Sequence, residues 1–478
     1  MTVTPFRKQH FQTRREIYQL LLSAQKSFEQ RKQAQVFSFS VEVAPIDPLW
    51  ALTQLEQLDQ VSFYFEKRDF TPEPYPPQGG MAIAAIGAVV QAHLAGDDRF
   101  QAAQRFIQQV LANTHLAGVS QLPLAGPHFF CGFHFFSEVP PGELGSTIFL
   151  PEWQVAWGDA RYIVVANVLI DQEFAIESTT ERLWRTLQLL SAAPPERLQP
   201  TVRPNLLLEM QAVATTSRFE QSVQQALCAI EQGHLDKVVL AHAVDVRSPL
   251  PFHPIDCLQN LRGQYPDCYL FALNQGHGKF FLGASPERLV SLQKGYLCTD
   301  ALAGSAPRGS TPCEDAQLAS QLLHSQKEIH EHEVVRDFIT HQLRQLQLSP
   351  RSFPLRLRQL TNIQHLHTPI QARAAAVPLL DVVAQLHPTP AVAGMPRAIA
   401  CEQIRQHEAF ERGHYAAPIG WVDHQGNGEF AVGIRSALVN GCNARLFAGA
   451  GIVAGSTPEQ ELAEVQLKLQ ALLHALSR

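Results

Sequence analysis

Apolar and polar residues alternate along several short segments of the first 190 residues, with the period of two that is typical of strands. The clearest example is Phe37–Val43, and further buried strands are predicted at Phe129–Phe136 and Arg161–Val168. Helices are predicted at Ile17–Leu22, from an amphipathic pattern, and at Ala82–Leu94, from its many small residues. This half therefore predicts mixed helices and strands without concentrated chemistry.

The pattern changes after the proline-rich stretch Ser191–Pro200, the best candidate for an internal boundary. Beyond it, an apolar stripe from Phe219 to Ile230 has helical spacing and ends at Gly233, and a strand is predicted from Lys237 to Val246. Further strands are predicted at Cys268–Leu273, Phe280–Gly283, Arg288–Leu292, Glu429–Arg435 and Ala444–Ala448, and helices at Asp315–Leu346 and from Thr457 onward. The chain thus divides into 1–200 and 201–478, which together could form one compact unit.

The composition of the 478 residues, 45% hydrophobic and 17% charged, is that of a globular protein with ample length for a large core. The net charge of −6 argues against a nucleic-acid partner. No apolar run is long enough to cross a bilayer. The eight cysteines are scattered without a C-x-x-C pair, which disfavours a zinc site and a disulfide framework and predicts a reducing, cytoplasmic location.

Two predicted helices carry pairs of glutamates three residues apart, so each pair shares one helix face. The pairs are Glu328 with Glu331 and Glu461 with Glu464. Oxygen ligands on two helices could hold a hard cation such as Mg²⁺. The alternative is structural, since acids in a first helical turn complement the helix dipole and a glutamate can pair with a surface lysine.

Two further residues have the side chains that proton transfer requires. Lys237 opens an apolar strand, where it is either a solvated strand end or a buried amine able to act as a base. Glu287 follows Ser285-Pro286, where it is either the partner of a cation such as Arg288 or a general acid.

Two anion-binding features accompany them. The small-residue loop Ala303–Ser305 leaves backbone N–H groups open to an anion. Arg435 is predicted in the middle of an apolar strand, where a buried guanidinium needs a partner, and a carboxylate is the natural one.

Five blocks in this order resemble the chorismate-utilising enzymes, and among them the isochorismate synthases, relatives of anthranilate synthase component I and salicylate synthase. The blocks are Asp236–His242, Phe281–Leu289, Ala301–Arg308, His330–Glu333 and Arg445–Gly451, and the resemblance covers roughly the last 270 residues, a domain-sized block. It implies an α+β fold, the chorismate-utilising enzyme fold, in which two large, mainly antiparallel sheets pack face to face with helices outside. The site would lie between the sheets.

The resemblance also implies roles for individual residues. Glu331 and Glu464 match the magnesium ligands, and Glu328 and Glu461 match outer, water-mediated positions. Lys237 matches the general base and Glu287 the general acid. The residues that match substrate contacts are Gly304, Ser305, His365, Tyr415, Arg435, Gly449 and Lys468.

Within this family, Ala303 stands where aminating relatives typically carry a nucleophilic lysine, and no amidotransferase block is visible. Water is therefore the expected nucleophile, and Mg²⁺-dependent isomerisation of chorismate to isochorismate the expected reaction, at the start of menaquinone, phylloquinone or siderophore synthesis. The segment His387–Ala391 resembles the isochorismate-forming branch. It favours this branch over a salicylate synthase, which would also eliminate pyruvate. A catalytically silent chorismate-binding relative is the alternative of another class. We expect no nucleic-acid, membrane or amidotransferase partner, and a monomer or weak homodimer.

Overall fold

A computed structural model of the protein describes residues 13–56, 59–68, 80–191, 208–361 and 363–476. These residues form eleven helices: α1 (Arg14–Arg31), α2 (Pro48–Leu55), α3 (Arg99–Ala112), α4 (Ile176–Ser191), α5 (Thr216–Glu231), α6 (Pro254–Gln264), α7 (Pro312–His324), α8 (Gln326–Gln345), α9 (Leu379–Leu386), α10 (Arg397–His407) and α11 (Pro458–Leu476). None of these helices is both long and apolar enough to span a membrane.

The strands of the first half are β1 (Gln35–Glu42), β2 (Val61–Lys67), β3 (Met81–Ile86), β4 (Val90–Leu94), β5 (Thr114–Gly118), β6 (His128–Gly132), β7 (Ser146–Leu150), β8 (Trp153–Gly158) and β9 (Arg161–Ile170). Those of the second half are β10 (Glu209–Ala212), β11 (Lys237–Arg247), β12 (Tyr269–Gln275), β13 (Lys279–Ser285), β14 (Arg288–Gln293), β15 (Tyr296–Pro307), β16 (Arg351–Ser352), β17 (Arg356–Gln359), β18 (Ile363–Arg373), β19 (Gly394–Met395), β20 (Pro418–Asp423), β21 (Gly428–Val432), β22 (Ser436–Asn440) and β23 (Asn443–Val453).

The strands assemble into two large sheets, and each sheet takes strands from both halves of the chain. The first has the order β10-β11-β23-β22-β13-β12-β2-β3-β8-β9-β1-β5, with β19 beside β11. The second has the order β16-β18-β15-β14-β21-β20-β6-β7-β4, with β17 beside β18. Neighbouring strands are antiparallel except β1 and β5. The predicted boundary near 191–200 lies, apart from Ser191, outside the described residues.

The two sheets pack face to face through an aromatic core. Phe63 and Phe65 of β2 point toward the second sheet, where the ring of Phe63 lies 5.0 Å from that of Phe130 in β6. Tyr64, between them, joins the core on the helix side of the first sheet. Because both faces of β2 are covered, its residues are buried without the polar alternation of a half-exposed strand.

The helix predicted at Ala82–Leu94 is wrong. This segment contains β3 and β4, which belong to different sheets and are separated by Gly87 at a φ of +69°. All six residues of β3 are buried, because the strand lies between two others with both of its faces covered. A continuous run of small apolar residues does not distinguish a buried strand from a buried helix.

The single helix predicted at Asp315–Leu346 is also wrong, because the chain breaks at Ser325. Ser325 adopts an extended conformation and ends α7, and its side chain accepts a hydrogen bond from the N–H of Glu328 to begin α8. Serine is among the preferred residues for this capping role. The break allows α8 to lie on β15 and β18 as a separate element.

Two smaller differences concern strand ends, and a third concerns a bulge within a strand. The strand that begins at His128 ends at Gly132 rather than Phe136. The strand predicted at Glu429–Arg435 ends at Val432, and Arg435 has a φ of +50°, in the left-handed region. The loop predicted at Ala303–Ser305 is a bulge within β15, with Gly304 at a φ of +77°.

Candidate active site

A cavity of about 750 Å³, counted with its mouth, lies where β11 and β23 of the first sheet meet β15 and β18 of the second. Helices α8 and α11 contribute the charged residues Glu331, Glu464 and Lys468 to its wall. Ten of the thirteen residues singled out in the sequence line this cavity: Glu287, Gly304, Ser305, Glu331, His365, Tyr415, Arg435, Gly449, Glu464 and Lys468. The other three do not line it: Lys237 contacts Glu331, Glu328 contacts Ser305, and Glu461 contacts Lys327.

Lys237 is fully buried at the start of β11, so it is not a solvated strand end. Its Nζ donates to Oε1 of Glu331, 2.7 Å away, and Glu331 on α8 forms part of the cavity wall. Gly451 of β23 leaves room for this pair, since a Cβ there would lie 2.7 Å from the same Glu331 oxygen. The base candidate therefore lies directly behind the cavity wall, bonded to a carboxylate on a different element that faces the cavity.

Glu464 and Lys468 are neighbours on one face of α11. Lys468 Nζ lies 2.7 Å from Glu464 Oε1 and donates to the carbonyl of Gly449 at 2.9 Å. The hydroxyl of Ser305 also donates to Glu464. Burial raises the pKa of Glu464, but Lys468 and Ser305 outweigh it, so that the net shift is downward and Glu464 is held as the carboxylate.

Glu328 and Glu461 complete a group with Glu331 and Glu464 that we call the acidic cluster. Glu328 accepts a hydrogen bond from the N–H of Ser305 at 2.9 Å, so the bulge in β15 already binds an anion of the protein itself. Burial, followed by the charge of Glu331, raises the pKa of Glu328 to about 7. Burial likewise raises the pKa of Glu461.

Lys327 was not identified from the sequence, yet it joins the two helices of the acidic cluster. Its Nζ lies 3.1 Å from Glu461 on α11 and 3.8 Å from its neighbour Glu328 on α8. Lysine beside glutamate on a helix is too common to signal such a contact. Within the described residues, no three Asp, Glu, His or Cys side chains converge into a metal-binding group.

Glu287 lies between β13 and β14, where Ser285 caps its backbone N–H and its carbonyl accepts from Val432. The side chain is buried against the cavity. Burial raises the pKa of Glu287 to about 8, although the charge of nearby Lys237 opposes the shift. Near neutral pH this carboxyl group is therefore protonated and able to donate.

Arg435, His365 and Tyr415 form a second polar wall, which we call the arginine corner. Arg435 Nη2 lies 3.1 Å from His365 Nε2. Burial, followed by the charge of Arg435, lowers the pKa of His365 well below its usual range, so the ring is neutral and accepts from the guanidinium. Burial raises the pKa of Tyr415, which keeps its hydroxyl as a donor.

Arg435 is 8% exposed and forms no ion pair with any residue that the structure describes. Its Nη1 is buried without a hydrogen-bond partner. A buried guanidinium without a counterion costs folding free energy. Because Arg435 faces the cavity, a carboxylate entering it would supply the missing partner.

The apolar part of the cavity wall was not assigned from the sequence. It is formed by apolar residues that include Val239, Ala391, Val392, Ile434 and Phe447. Ala391, one of these residues, is the last residue of the segment His387–Ala391. The cavity thus combines a protonated carboxyl, a buried amine, an acidic cluster and an unpaired cation, a set suited to proton transfer on an anionic substrate.

Known proteins are similar to this chain over most of its length. The family profile described as "Chorismate binding enzyme" matches residues 21–477. A salicylate biosynthesis isochorismate synthase of Pseudomonas aeruginosa is 36% identical over 458 residues, covering 92% of this chain and 89% of the relative. The isochorismate synthase MenF of Bacillus subtilis is 33% identical over 453 residues, covering 88% and 92%.

Solved structures share the fold. The structure of MenF, the menaquinone-specific isochorismate synthase from Escherichia coli, matches with a TM-score of 0.75 and 26% identity, over 95% of this chain and 99% of that one. Anthranilate synthase component I from Streptococcus pneumoniae matches with a TM-score of 0.67 and 22% identity, over 89% and 97%. The predicted α+β fold of two packed, mainly antiparallel sheets is confirmed.

Proposed function

Because the chain belongs to the chorismate-binding enzyme family, as its sequence blocks predicted, we propose that it is an isochorismate synthase, an isomerase that converts chorismate to isochorismate. The observation that carries this proposal is the pairing, in one cavity, of a buried cation without a counterion and a carboxyl group protonated at neutral pH. Chorismate is a dianion with a leaving hydroxyl group, so it needs both.

The arginine corner is proposed to bind the enolpyruvyl carboxylate. Arg435 Nη1 offers the unused donor, and the Tyr415 hydroxyl offers a second. His365 fixes the guanidinium plane. Gly449 keeps this wall open, since a Cβ there would lie 2.9 Å from the Tyr415 hydroxyl, and its carbonyl anchors Lys468.

The proposed reaction exchanges one hydroxyl for another. Lys237, as the neutral amine, takes a proton from a water molecule whose oxygen bonds to C2 of the ring. The ring double bonds shift, the C4–O bond breaks, and Glu287 gives its proton to the departing hydroxyl, which leaves as water. Solvent then returns the two proton-transfer groups to their starting states, and the same groups serve the reverse reaction.

The acidic cluster fits Mg²⁺. Carboxylate oxygens are the ligands that this ion prefers, and Glu331 and Glu464 both face the cavity. Four glutamates here meet only three lysines, Lys237, Lys327 and Lys468. Burial is the main cause of the raised pKa of Glu328, and the charge of Glu331 adds to it. Glu331 and Glu464 would hold the ion, with Glu328 and Glu461 in outer positions, and Mg²⁺ would supply positive charge for the ring carboxylate of chorismate.

The proposal is tested by incubating the protein with chorismate and Mg²⁺ and separating the products by chromatography. We expect isochorismate, approached to the same equilibrium ratio from either side, and no aminated product in excess ammonium. Salicylate and pyruvate released together, at the rate at which chorismate disappears, would instead identify a salicylate synthase. Chorismate that binds and is recovered unchanged would identify a silent relative.

The metal assignment has its own test. EDTA should abolish turnover and Mg²⁺ restore it, and Glu331→Gln or Glu464→Gln should remove most activity in a protein that still folds, because these carboxylates are there for the ion. Calorimetric titration with Mg²⁺ alone gives a readout independent of turnover. Full activity of either variant in metal-free buffer would contradict the assignment.

The partner and location expectations are part of the proposal. Water as nucleophile requires no amidotransferase subunit, and we keep a monomer or weak homodimer and a cytoplasmic location as predictions. Size-exclusion chromatography with light scattering measures the oligomeric state.

A further inference from the structure

One edge of β11 has no strand partner over the middle of its length. On one side, β23 pairs with β11 from end to end. On the other side, β19 pairs with Lys237 and Val238, and β10 pairs only from Val244 to Arg247. Within the part of the chain that the structure describes, no strand pairs with residues 239–243 on that side. Buried backbone groups in such a gap need other hydrogen-bond partners.

The N–H of Val239 and the carbonyl of Ala243 bond to the backbone of Ala393 and Val213. Two side chains serve the N–H of Ala241 and the carbonyl of Val239. Glu408, directly after α10, accepts a hydrogen bond from the N–H of Ala241 through Oε1 at 2.8 Å. Arg412 Nη2 donates to the carbonyl of Val239 at 2.9 Å. A carboxylate acceptor and a guanidinium donor thus stand where the N–H and C=O groups of a neighbouring strand would be.

The same arginine reaches two other parts of the cavity wall. Its Nη1 donates to the carbonyl of Val392 at 2.8 Å, and its own carbonyl accepts from the N–H of Tyr415 at 2.8 Å. Its guanidinium carbon lies 5.6 Å from the centre of the Tyr415 ring. Val239, Val392 and Tyr415 all line the cavity, so Arg412 joins three wall segments that are far apart in sequence.

The pair is buried, with side-chain exposures of 1% for Arg412 and 3% for Glu408. Arg412 Nε also donates to Glu408 Oε2 at 2.9 Å, so the carboxylate orients the guanidinium that bonds the two carbonyls. A buried ion pair contributes little net stability compared with apolar residues of the same volume. Its hydrogen-bond geometry, in contrast, fixes the relative positions of the groups that it joins.

We propose that Glu408 and Arg412 are positioning residues that replace a strand along β11 and hold the Val239, Val392 and Tyr415 segments in the geometry that the reaction requires. The proposal rests on the proposed function, because turnover of chorismate is one of its readouts. Neither side chain faces the substrate. They act through the wall and through Tyr415.

Four variants test this. Arg412→Met removes every donor. Arg412→Lys keeps the charge, but one ammonium cannot reproduce the planar fork. Glu408→Gln keeps an oxygen for Ala241 and loses the ion pair. The control is Arg262→Met, because Arg262 is also a largely buried arginine, paired with Asp47 and Glu66, yet it is not part of the cavity wall.

We expect Arg412→Met to lose about 10²-fold in kcat/KM per folded molecule, the cost of misplacing catalytic groups by about 1 Å. Arg412→Lys and Glu408→Gln should lose less. Arg262→Met should lower the unfolding temperature and keep the wild-type kcat and KM. Hydrogen exchange followed by NMR should show faster exchange of the Ala241 amide in Arg412→Met and an unchanged rate in Arg262→Met.

Wild-type kcat and KM in folded Arg412→Met, or an equal loss in Arg262→Met, would overturn the proposal. Should Arg412→Met fail to fold, wild-type kinetics in Glu408→Gln would do the same. A wild-type protein inactive toward chorismate would overturn the proposed function instead, and exchange at Ala241 would still decide whether the pair secures β11.

Discussion

The two polar walls of the cavity differ in how their charges are balanced. In the acidic cluster, each glutamate lies within ion-pair distance of a lysine of the protein. In the arginine corner, Arg435 contacts His365, forms no ion pair with any described residue, and has one unused donor. The walls also differ in exposure: the side chain of Glu464 in the acidic cluster is 31% exposed, whereas the three residues of the arginine corner are buried.

This difference indicates which wall is complete without a ligand. Ion pairing offsets the cost of burying the glutamates and holds their oxygens in fixed positions. The buried, unpaired Arg435 destabilises the free protein, and a ligand carboxylate that pairs with it recovers that free energy. We therefore assign proton transfer and cation binding to the paired wall and its neighbour Glu287, and substrate anchoring to the unpaired one.

The largest expected effect comes from breaking the paired wall at Lys237. Lys237→Ala should lower kcat about 10²–10⁴-fold, the usual contribution of a positioned base. Chorismate should still bind, since Arg435 and Tyr415 remain, and the unfolding temperature should fall because Glu331 loses its partner. Steady-state kinetics and calorimetric binding separate the two effects.

Lys67→Met is the matched control, because Lys67 forms a buried ion pair with Glu429 away from the cavity. It should destabilise the protein and keep the kcat of the folded fraction. Wild-type kcat in Lys237→Ala would leave this lysine a purely structural role.

Replacing the acid should have an effect of similar size and change the pH profile. With a pKa of about 8 in the free protein, Glu287 carries its proton below that pH and loses it above, so kcat/KM should fall as the pH rises through about 8. Glu287→Gln should lower kcat about 10²–10⁴-fold and abolish this limb.

The same shift has a consequence for folding. Because the folded pKa lies above the ordinary 4.5, protonation of Glu287 stabilises the fold fully below pH 4.5, and that contribution is lost as the pH rises through about 8. Glu287→Gln should remove this part of the pH dependence of the free energy of unfolding. An unchanged alkaline limb of kcat/KM in this variant would assign the limb to another group.

Breaking the unpaired wall should have a smaller effect of a different kind. Arg435→Met should raise KM about 10–100-fold, since a hydrogen bond to a charged group is worth about 1.5–3 kcal/mol. It should also raise the unfolding temperature of the free protein, because it removes a buried charge without a counterion. Loss of stability on this substitution would show that Arg435 is compensated within the protein and would remove the contrast between the walls.

The smallest effect is expected inside the acidic cluster. Glu461 pairs with Lys327 and does not face the cavity, whereas Glu464 does. Glu461→Gln should therefore weaken Mg²⁺ binding by about tenfold, at the lower end of the usual effect of losing an outer contact, and less than Glu464→Gln does. Equal losses of Mg²⁺ affinity, measured by calorimetry, would contradict the division into inner and outer carboxylates.

Local spacing is enough to predict much of this site. Glutamates three residues apart must share a helix face, so the pairs on α8 and α11 follow directly from the amino-acid sequence. The family blocks then predict residues of which ten line one cavity. The strand periodicity of Phe37–Val43 and the start of α11 near Thr457 are likewise encoded locally.

The remaining features depend on contacts that spacing cannot show. The partner of Lys237 lies on α8, and the gap along β11 arises only because β10 and β19 stop short of each other. Glu408 and Arg412 fill that gap, and nothing in their sequence context distinguishes them from a surface ion pair at helical spacing. Strand β3, within Ala82–Leu94, escapes prediction because burial on both faces removes the alternation that identifies a strand.

The proposed reaction exchanges the C4 hydroxyl for water at C2. Incorporation of an oxygen isotope from water measures this exchange. The protein is incubated with chorismate and Mg²⁺ in ¹⁸O-labelled water, and the mass of the isolated product is measured by mass spectrometry. Isochorismate alone in the same water is the control for non-enzymatic exchange. We expect isochorismate that carries one ¹⁸O atom, at the C2 hydroxyl. Isochorismate without the label would show that the hydroxyl moves within the substrate and would contradict the assignment of water as the nucleophile.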